Sequence, residues 1–201
     1  MARDPQIYRH VVLAVWVAWA LYWLVSAVGN KRAQRRESLA SRAAYALPLI
    51  AGGVLIGWSQ VPGAAVLGLR LWPRSALPYA IGLAMLIAGL AFSVWARVHL
   101  GGNWSGAVTL KEGHELIRTG PYRLVRHPIY TGILAGVLGT VLCSGTVRAA
   151  LGFAIIGSAL LRKLRLEEAL LREVFPDEYP RYCAAVPALI PFTAARRSAP
   201  R

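Results

Sequence analysis

Long stretches without a single charged residue, separated by short basic segments, constrain this chain more than any other feature. Residues 11–28, 43–69, 76–96 and 129–147 are uncharged runs of 18, 27, 21 and 19 residues, and residues 149–161 add a fifth of 13. At a rise of about 1.5 Å per residue, about 20 apolar residues in a helix cross the roughly 30 Å of bilayer hydrocarbon. The expected solvent for most of the chain is therefore lipid. Composition agrees, since 56% of residues are hydrophobic and the mean hydropathy is +0.47, more apolar than a soluble core requires. The fifth run is too short to span alone. Only Arg148 separates it from the fourth, and it continues into helix-forming sequence, so a tight hairpin is expected whose second helix, from about Ala149 to Val174, leaves the membrane at Arg162 and Lys163.

The formal charge of +14 first has to be tested for sidedness. With five spans and the N-terminus outside, 18 of the 23 Lys and Arg residues fall on the cytoplasmic side and 5 outside. The basicity then reads as orientation and attraction to anionic lipid, with the C-terminus cytoplasmic. No nucleic-acid recognition motif accompanies it. Cys143 and Cys183 fall in a span and in the cytoplasmic tail, which disfavours a disulfide, and the four histidines show no metal-ligand spacing. The first apolar run, Trp-rich and followed by a basic segment, reads as a retained anchor.

The expected architecture is all-α and integral to the membrane, with about five transmembrane helices in a single domain over residues 1–201. Residues 1–96 form a three-helix scaffold, 97–192 a cytoplasm-facing cofactor-binding half, and 193–201 a flexible basic tail. Trp16, Trp19, Trp23, Trp72, Tyr79 and Trp95 are expected as interfacial anchors. Pro48 and Pro62 predict a kink or an early end of the second helix. Gly132-x-x-x-Gly136 predicts close helix packing. Residues 97–128 are rich in glycine, charge and turn formers, and a loop of that length is usually functional.

Two clusters of ionisable groups lie at a membrane boundary, where such groups are costly unless paired or bound. Arg126-His127-Pro128-Ile129-Tyr130-Thr131-Gly132 opens the fourth span, and Pro128 suits a first helical turn, so free N–H groups and a positive dipole end are expected there. Lys163-x-x-x-Glu167-Glu168 follows the fifth. Lys163 and Glu167 share a helix face, whereas Glu168 is turned by about 100°, so one carboxylate is expected inward and the other toward solvent. Nothing resembles a dinucleotide or phosphate loop.

These blocks, together with His114-x-Leu116-Ile117-x-x-Gly120-Pro121-Tyr122 and the tail Phe175-Pro176-Asp177-Glu178-Tyr179-x-x-Tyr182 to Pro191-Phe192, resemble the isoprenylcysteine carboxyl methyltransferase family and its phospholipid methyltransferase relatives over residues 103–192. The resemblance implies a multi-span helical enzyme that binds S-adenosyl-L-methionine at the cytoplasmic face, releases S-adenosylhomocysteine and methylates a lipophilic or lipidated substrate reached from the bilayer. By position it places Thr109 (or Val108), His114, Glu115, Leu116, Ile117, Tyr122, His127, Pro128, Ile129, Tyr130 and Glu167 around the cofactor. Lys163 stands where the family tends to carry an arginine near the substrate. Arg126 could hold the cofactor's carboxylate, and Glu168 or His127 could serve as base for an amine acceptor. No metal and no obligate protein partner is implied. A bacterial inner membrane is the expected location, or the endoplasmic reticulum in a eukaryote. Two alternatives stay open: an NADPH-dependent, sterol-reductase-like membrane protein, and a noncatalytic protein that keeps the fold.

Overall fold

The computed structural model describes residues 5–27, 33–58, 65–104, 107, 109–111 and 115–193. Helix α1 spans Pro5–Ser26, strand β1 Ala33–Arg36, α2 Leu39–Gly57, the single turn α3 Ala65–Gly68 and α4 Ala76–Leu100. Strand β2 (Thr109–Lys111) follows, then α5 (Pro128–Ser144), α6 (Val147–Val174) and α7 (Glu178–Ala185). Three of these helices are long and apolar enough to cross a membrane, over Arg9–Ser26, Leu39–Gly57 and Ala76–Asn103; α5 is apolar but has 17 residues. The expected hairpin is present, with α5 and α6 joined through Gly145 and Thr146.

Helix ends follow local chemistry. The Ser38 hydroxyl accepts from Ser41 N–H at 3.2 Å and caps α2. Pro48 is accommodated within α2, which ends at Gly57 inside the 27-residue apolar run; Pro62 lies outside the described residues. Arg148 donates to Leu55 O at 3.2 Å and to Ile56 O, which satisfies carbonyls at the exposed end of α2. Gly145 takes φ 61° to end α5, a left-handed conformation that costs glycine nothing. Around it, Leu71 N donates to Gly145 O at 2.7 Å, Val147 N to Leu69 O at 3.0 Å and Trp72 Nε1 to Leu142 O at 3.2 Å.

Two helix pairs make up the membrane body: α4 on α5, and α2 on α6. The first pair meets along backbone. A Cβ on Gly89 would lie 2.7 Å from Gly132 O, and one on Gly132 would strike Gly89 O and lie 2.7 Å from Ser93 N. Close packing is thus what Gly132 and Gly136 provide, since removing side chains lets the axes approach where no hydrophobic force between helices is available. Gly52 and Gly152 do the same for the second pair.

The expected helical architecture is present, with one small addition: β1 and β2 pair antiparallel, with Arg36 opposite Thr109, so two short polar segments far apart in sequence satisfy one another's backbone. Two expectations need correction. Helix α4 runs four residues into the anticipated loop, because its buried Arg97 is satisfied there, donating to Gly101 O at 2.8 Å and to Ser26 O and lying 4.6 Å over Trp104. Trp16, Trp19 and Trp23 are not belt anchors. Trp16 Nε1 donates to Thr140 Oγ1 at 3.0 Å and Trp19 Nε1 to Ser93 Oγ at 2.8 Å, while Trp23 meets Trp104 edge to face. An indole N–H inside hydrocarbon needs such a partner, and finding it turns the tryptophan stripe of α1 inward onto α4 and α5.

Candidate functional site

Everything chemical gathers where α5 begins and the C-terminal half of α6 passes it. His127 is the N-cap of α5 with φ −122° and ψ 62°, and Pro128 occupies the first turn, as the order His-Pro dictates. No side chain caps this end. Instead, the segment after α7 straps across it: Arg126 N donates to Pro187 O at 2.9 Å, His127 N to Ala188 O at 3.0 Å and Thr131 Oγ1 to Leu189 O at 2.7 Å. Tyr182 Oη adds a bond to Tyr122 O at 2.6 Å.

The two neighbouring carboxylates have different surroundings. Glu168 Oε1 accepts from Arg126 Nε at 3.1 Å and Nη2 at 2.7 Å and lies 3.3 Å from His127 Nε2; its Oε2 takes Arg172 Nη2 at 3.1 Å. Burial pushes this carboxyl up, but the bonds to His127 and Arg126 outweigh it and hold the pKa down at about 2. A carboxylate held so firmly ionised is a poor base. Glu167 Oε1 accepts from Tyr130 Oη at 2.5 Å and lies 3.9 Å from Lys163 Nζ, and its Oε2 is 3.7 Å from His127 Nδ1. The His127 and Tyr130 rings are parallel, 5.6 Å apart.

The expectation of one inward and one solvent-facing carboxylate is therefore wrong. Side-chain exposure is 9% for Glu168 and 25% for Glu167. The face of α6 expected to meet water is covered by α7 and its strap, which Arg126 anchors by donating to Cys183 O at 3.2 Å and Val186 O at 2.5 Å. Lys163, on the same face as Glu167, is buried too, at 8% exposed.

Between α5, α6, α7 and residues 115–117 lies an open cavity. Eleven of the candidates read from sequence line it: Glu115, Leu116, Ile117, Tyr122, Arg126, His127, Pro128, Ile129, Tyr130, Lys163 and Glu167. Glu168 stands behind this wall. Thr109 sits in β2 opposite Arg36, and its side chain lies outside the described residues, as do His114 and Val108. Sequence reading missed the apolar side of the cavity, Leu170, Leu171 and Val174. Their spacing of three, four and seven from Glu167 is the signal that would have found them. It also missed Leu100, Trp104, Tyr179 and Tyr182, which reach the wall from either end of the segment. Among the described residues no group of three or more His, Cys, Asp or Glu could hold a metal ion.

The geometry can be set beside known proteins. Residues 81–173, from within α4 to the end of α6, match the model of the isoprenylcysteine carboxyl methyltransferase (ICMT) family. A probable protein-S-isoprenylcysteine O-methyltransferase of Oryza sativa subsp. indica is 32% identical over 116 residues, 56% of this chain and 60% of the rice protein. Protein-S-isoprenylcysteine O-methyltransferase B of Arabidopsis thaliana is 29% identical over 114 residues, 55% of this chain and 58% of that one. The matches thus span less than two thirds of the length of these curated relatives. A solved structure of the eukaryotic intramembrane Ras methyltransferase ICMT superposes with a TM-score of 0.54 at 22% identity, over 74% of this chain and 52% of that one, a likeness of fold. Over residues 81–173, the segment that carries Arg126-His127-Pro128, Tyr130 and Glu167-Glu168, this chain is similar to the isoprenylcysteine carboxyl methyltransferase family.

Proposed function

We propose that this chain is a five-span membrane methyltransferase that binds S-adenosyl-L-methionine in the cavity at the start of α5 and methylates a lipophilic acceptor, an isoprenylcysteine-like carboxylate or a lipid amine or thiol. The observation that carries this reading is Glu167, held at the cavity wall by Tyr130 and His127 beside a helix N-terminus that no side chain caps.

The residues present fit the cofactor. Glu167 matches an ammonium or a pair of hydroxyls, and the first-turn N–H groups of Ile129 and Tyr130 match a carboxylate. Ile117, Ile129, Leu170 and Leu171 offer an apolar wall for an adenine ring. When bound, the cofactor supplies a sulfonium methyl open to in-line displacement. The chain's task is then to bring the acceptor within about 3–3.5 Å of that methyl and to keep water out, which needs no covalent residue. Lys163, buried at the cavity wall, orients the acceptor head. Arg126 and Glu168 neutralise one another and fix the strap that closes the site, so they position rather than react. His127, which faces both carboxylates, is the group placed to take a proton from an amine acceptor.

The charge distribution sets the N-terminus outside and the cavity at the cytoplasmic face. The test is transfer of label from methyl-labelled S-adenosyl-L-methionine, by the protein in lipid nanodiscs, to N-acetyl-S-farnesylcysteine and to a host membrane extract. A labelled lipid-phase product is expected. Failure to label either, together with thermal protection by NADPH and not by S-adenosylhomocysteine, would favour the reductase.

A further inference from the structure

The Lys163 ammonium is held by side chains from three helices. Its Nζ lies 5.6 Å from the ring centroid of Tyr130 on α5, 5.3 Å from that of Tyr45 on α2, and 3.9 Å from Glu167 Oε1 on its own helix. Both ring distances fall inside the roughly 6 Å over which an aromatic face attracts a cation. The His127 ring stacks parallel on Tyr130, so imidazole, both phenol rings and the ammonium form one cluster. The Tyr45 hydroxyl donates to Glu37, next to the end of β1, which ties the ring at its far edge. Tyr45 is 3% exposed and lies outside the matched segment 81–173.

A lysine on a flexible four-carbon stem beside lipid has two easy escapes. It can snorkel to the interface, or it can curl onto the nearest carboxylate. Tyr130 alone does not prevent the second, because its own hydroxyl is bonded to the same Glu167 oxygen that Lys163 approaches. The Tyr45 face, on a different helix, supplies a second attraction.

We infer that Tyr45 is a positioning residue for Lys163: its ring clamps the ammonium at the cavity wall, so α2 helps to build the acceptor end of the site. The functional consequence rests on the methyltransferase reading; the clamp itself does not. The chain has three lysines, Lys31, Lys111 and Lys163, so acylation of each by a small amine-reactive ester is resolved by peptide mass spectrometry. In Tyr45→Leu the acylation rate of Lys163 should rise about tenfold, the equivalent of a cation–ring attraction of about 1.4 kcal/mol. Lys31 and Lys111 serve as internal references, and Tyr45→Phe, which keeps the ring, should match the wild type. With N-acetyl-S-farnesylcysteine as acceptor, Tyr45→Leu should raise its KM about tenfold and leave the S-adenosyl-L-methionine KM within about twofold. Unchanged Lys163 acylation in Tyr45→Leu would overturn the clamp. A matching fall in melting temperature and S-adenosylhomocysteine affinity would reduce Tyr45 to packing. Faster acylation in a protein that methylates nothing and binds no S-adenosylhomocysteine would keep the clamp and refute the methyltransferase.

Discussion

Helices α5 and α6 leave one shared turn, yet their two ends are held together by opposite means. At the turn and along the membrane, α5 is fixed by the absence of side chains: Gly132, Gly136 and Gly139 press against α4, and Gly145 turns the chain. At the far end Arg126, His127, Lys163, Glu167, Glu168 and Arg172 interlock within one helical turn or two. Backbone contact leaves no room for a ligand. Paired charges do, because long side chains hold the helices apart while satisfying each other. The cavity accordingly lies at the charged end, between α5, α6 and α7, and the glycine seam packs α5, one of its walls, onto α4.

The contrast can be broken first at the seam. Gly132→Leu would drive a side chain into Gly89 O and Ser93 N, backbone atoms that cannot step aside. A loss of about 3 kcal/mol or more is expected, read as the collapse of the monodisperse peak in detergent chromatography. A Gly132→Leu protein with normal melting would show that the seam is slack. At the charged end, Arg126→Met strips Glu168 of its shortest partner at 2.7 Å and removes the donor to Cys183 O and Val186 O. It should destabilise by about 3 kcal/mol and expose the segment after α7 to protease, since breaking a buried pair costs more than making it gains.

Acid should act on the charged end alone. Glu168 has its pKa depressed from 4.5 to about 2, so its contribution is complete above about pH 4.5 and is lost as pH falls toward 2. Melting curves of the wild type and Glu168→Gln should converge across that window, whereas parallel curves would deny Glu168 its role. The smallest of these effects is kinetic. Lys163→Ala should lower methyl transfer about tenfold at an S-adenosylhomocysteine affinity within about twofold of wild type; equal losses in both would remove Lys163 from the acceptor side.

The legible parts of the sequence were those whose physics is local. An uncharged run needs no partner to declare a span, and Pro128 marks a helix start by its own ring. The motifs and the resemblance they carry brought eleven residues to one cavity, and α5 and α6 adjoin through the two-residue turn Gly145-Thr146. What escaped depended on remote contacts. Arg97 looks like a loop residue until Trp104 and Ser26 O are placed around it. Trp16 and Trp19 look like interfacial anchors until Thr140 and Ser93 are brought 3.0 and 2.8 Å away from helices far along the chain. Glu168 looks exposed on a helical wheel, and only the strap after α7 buries it. The pairing of β1 with β2 joins two charged segments that carry no alternation to announce a strand.

The most direct test is calorimetric titration of S-adenosylhomocysteine into the wild type and Glu167→Gln in the same detergent. Glu167 is bonded to Tyr130 and faces the cavity, whereas the fold-holding pair belongs to Glu168. The variant is predicted to melt like the wild type and to bind at least about tenfold more weakly, the loss of about 1.4 kcal/mol expected when one charged hydrogen bond to a ligand is removed. Equal affinity in the two proteins, or no binding by the wild type, would contradict a methyl-donor site at the start of α5.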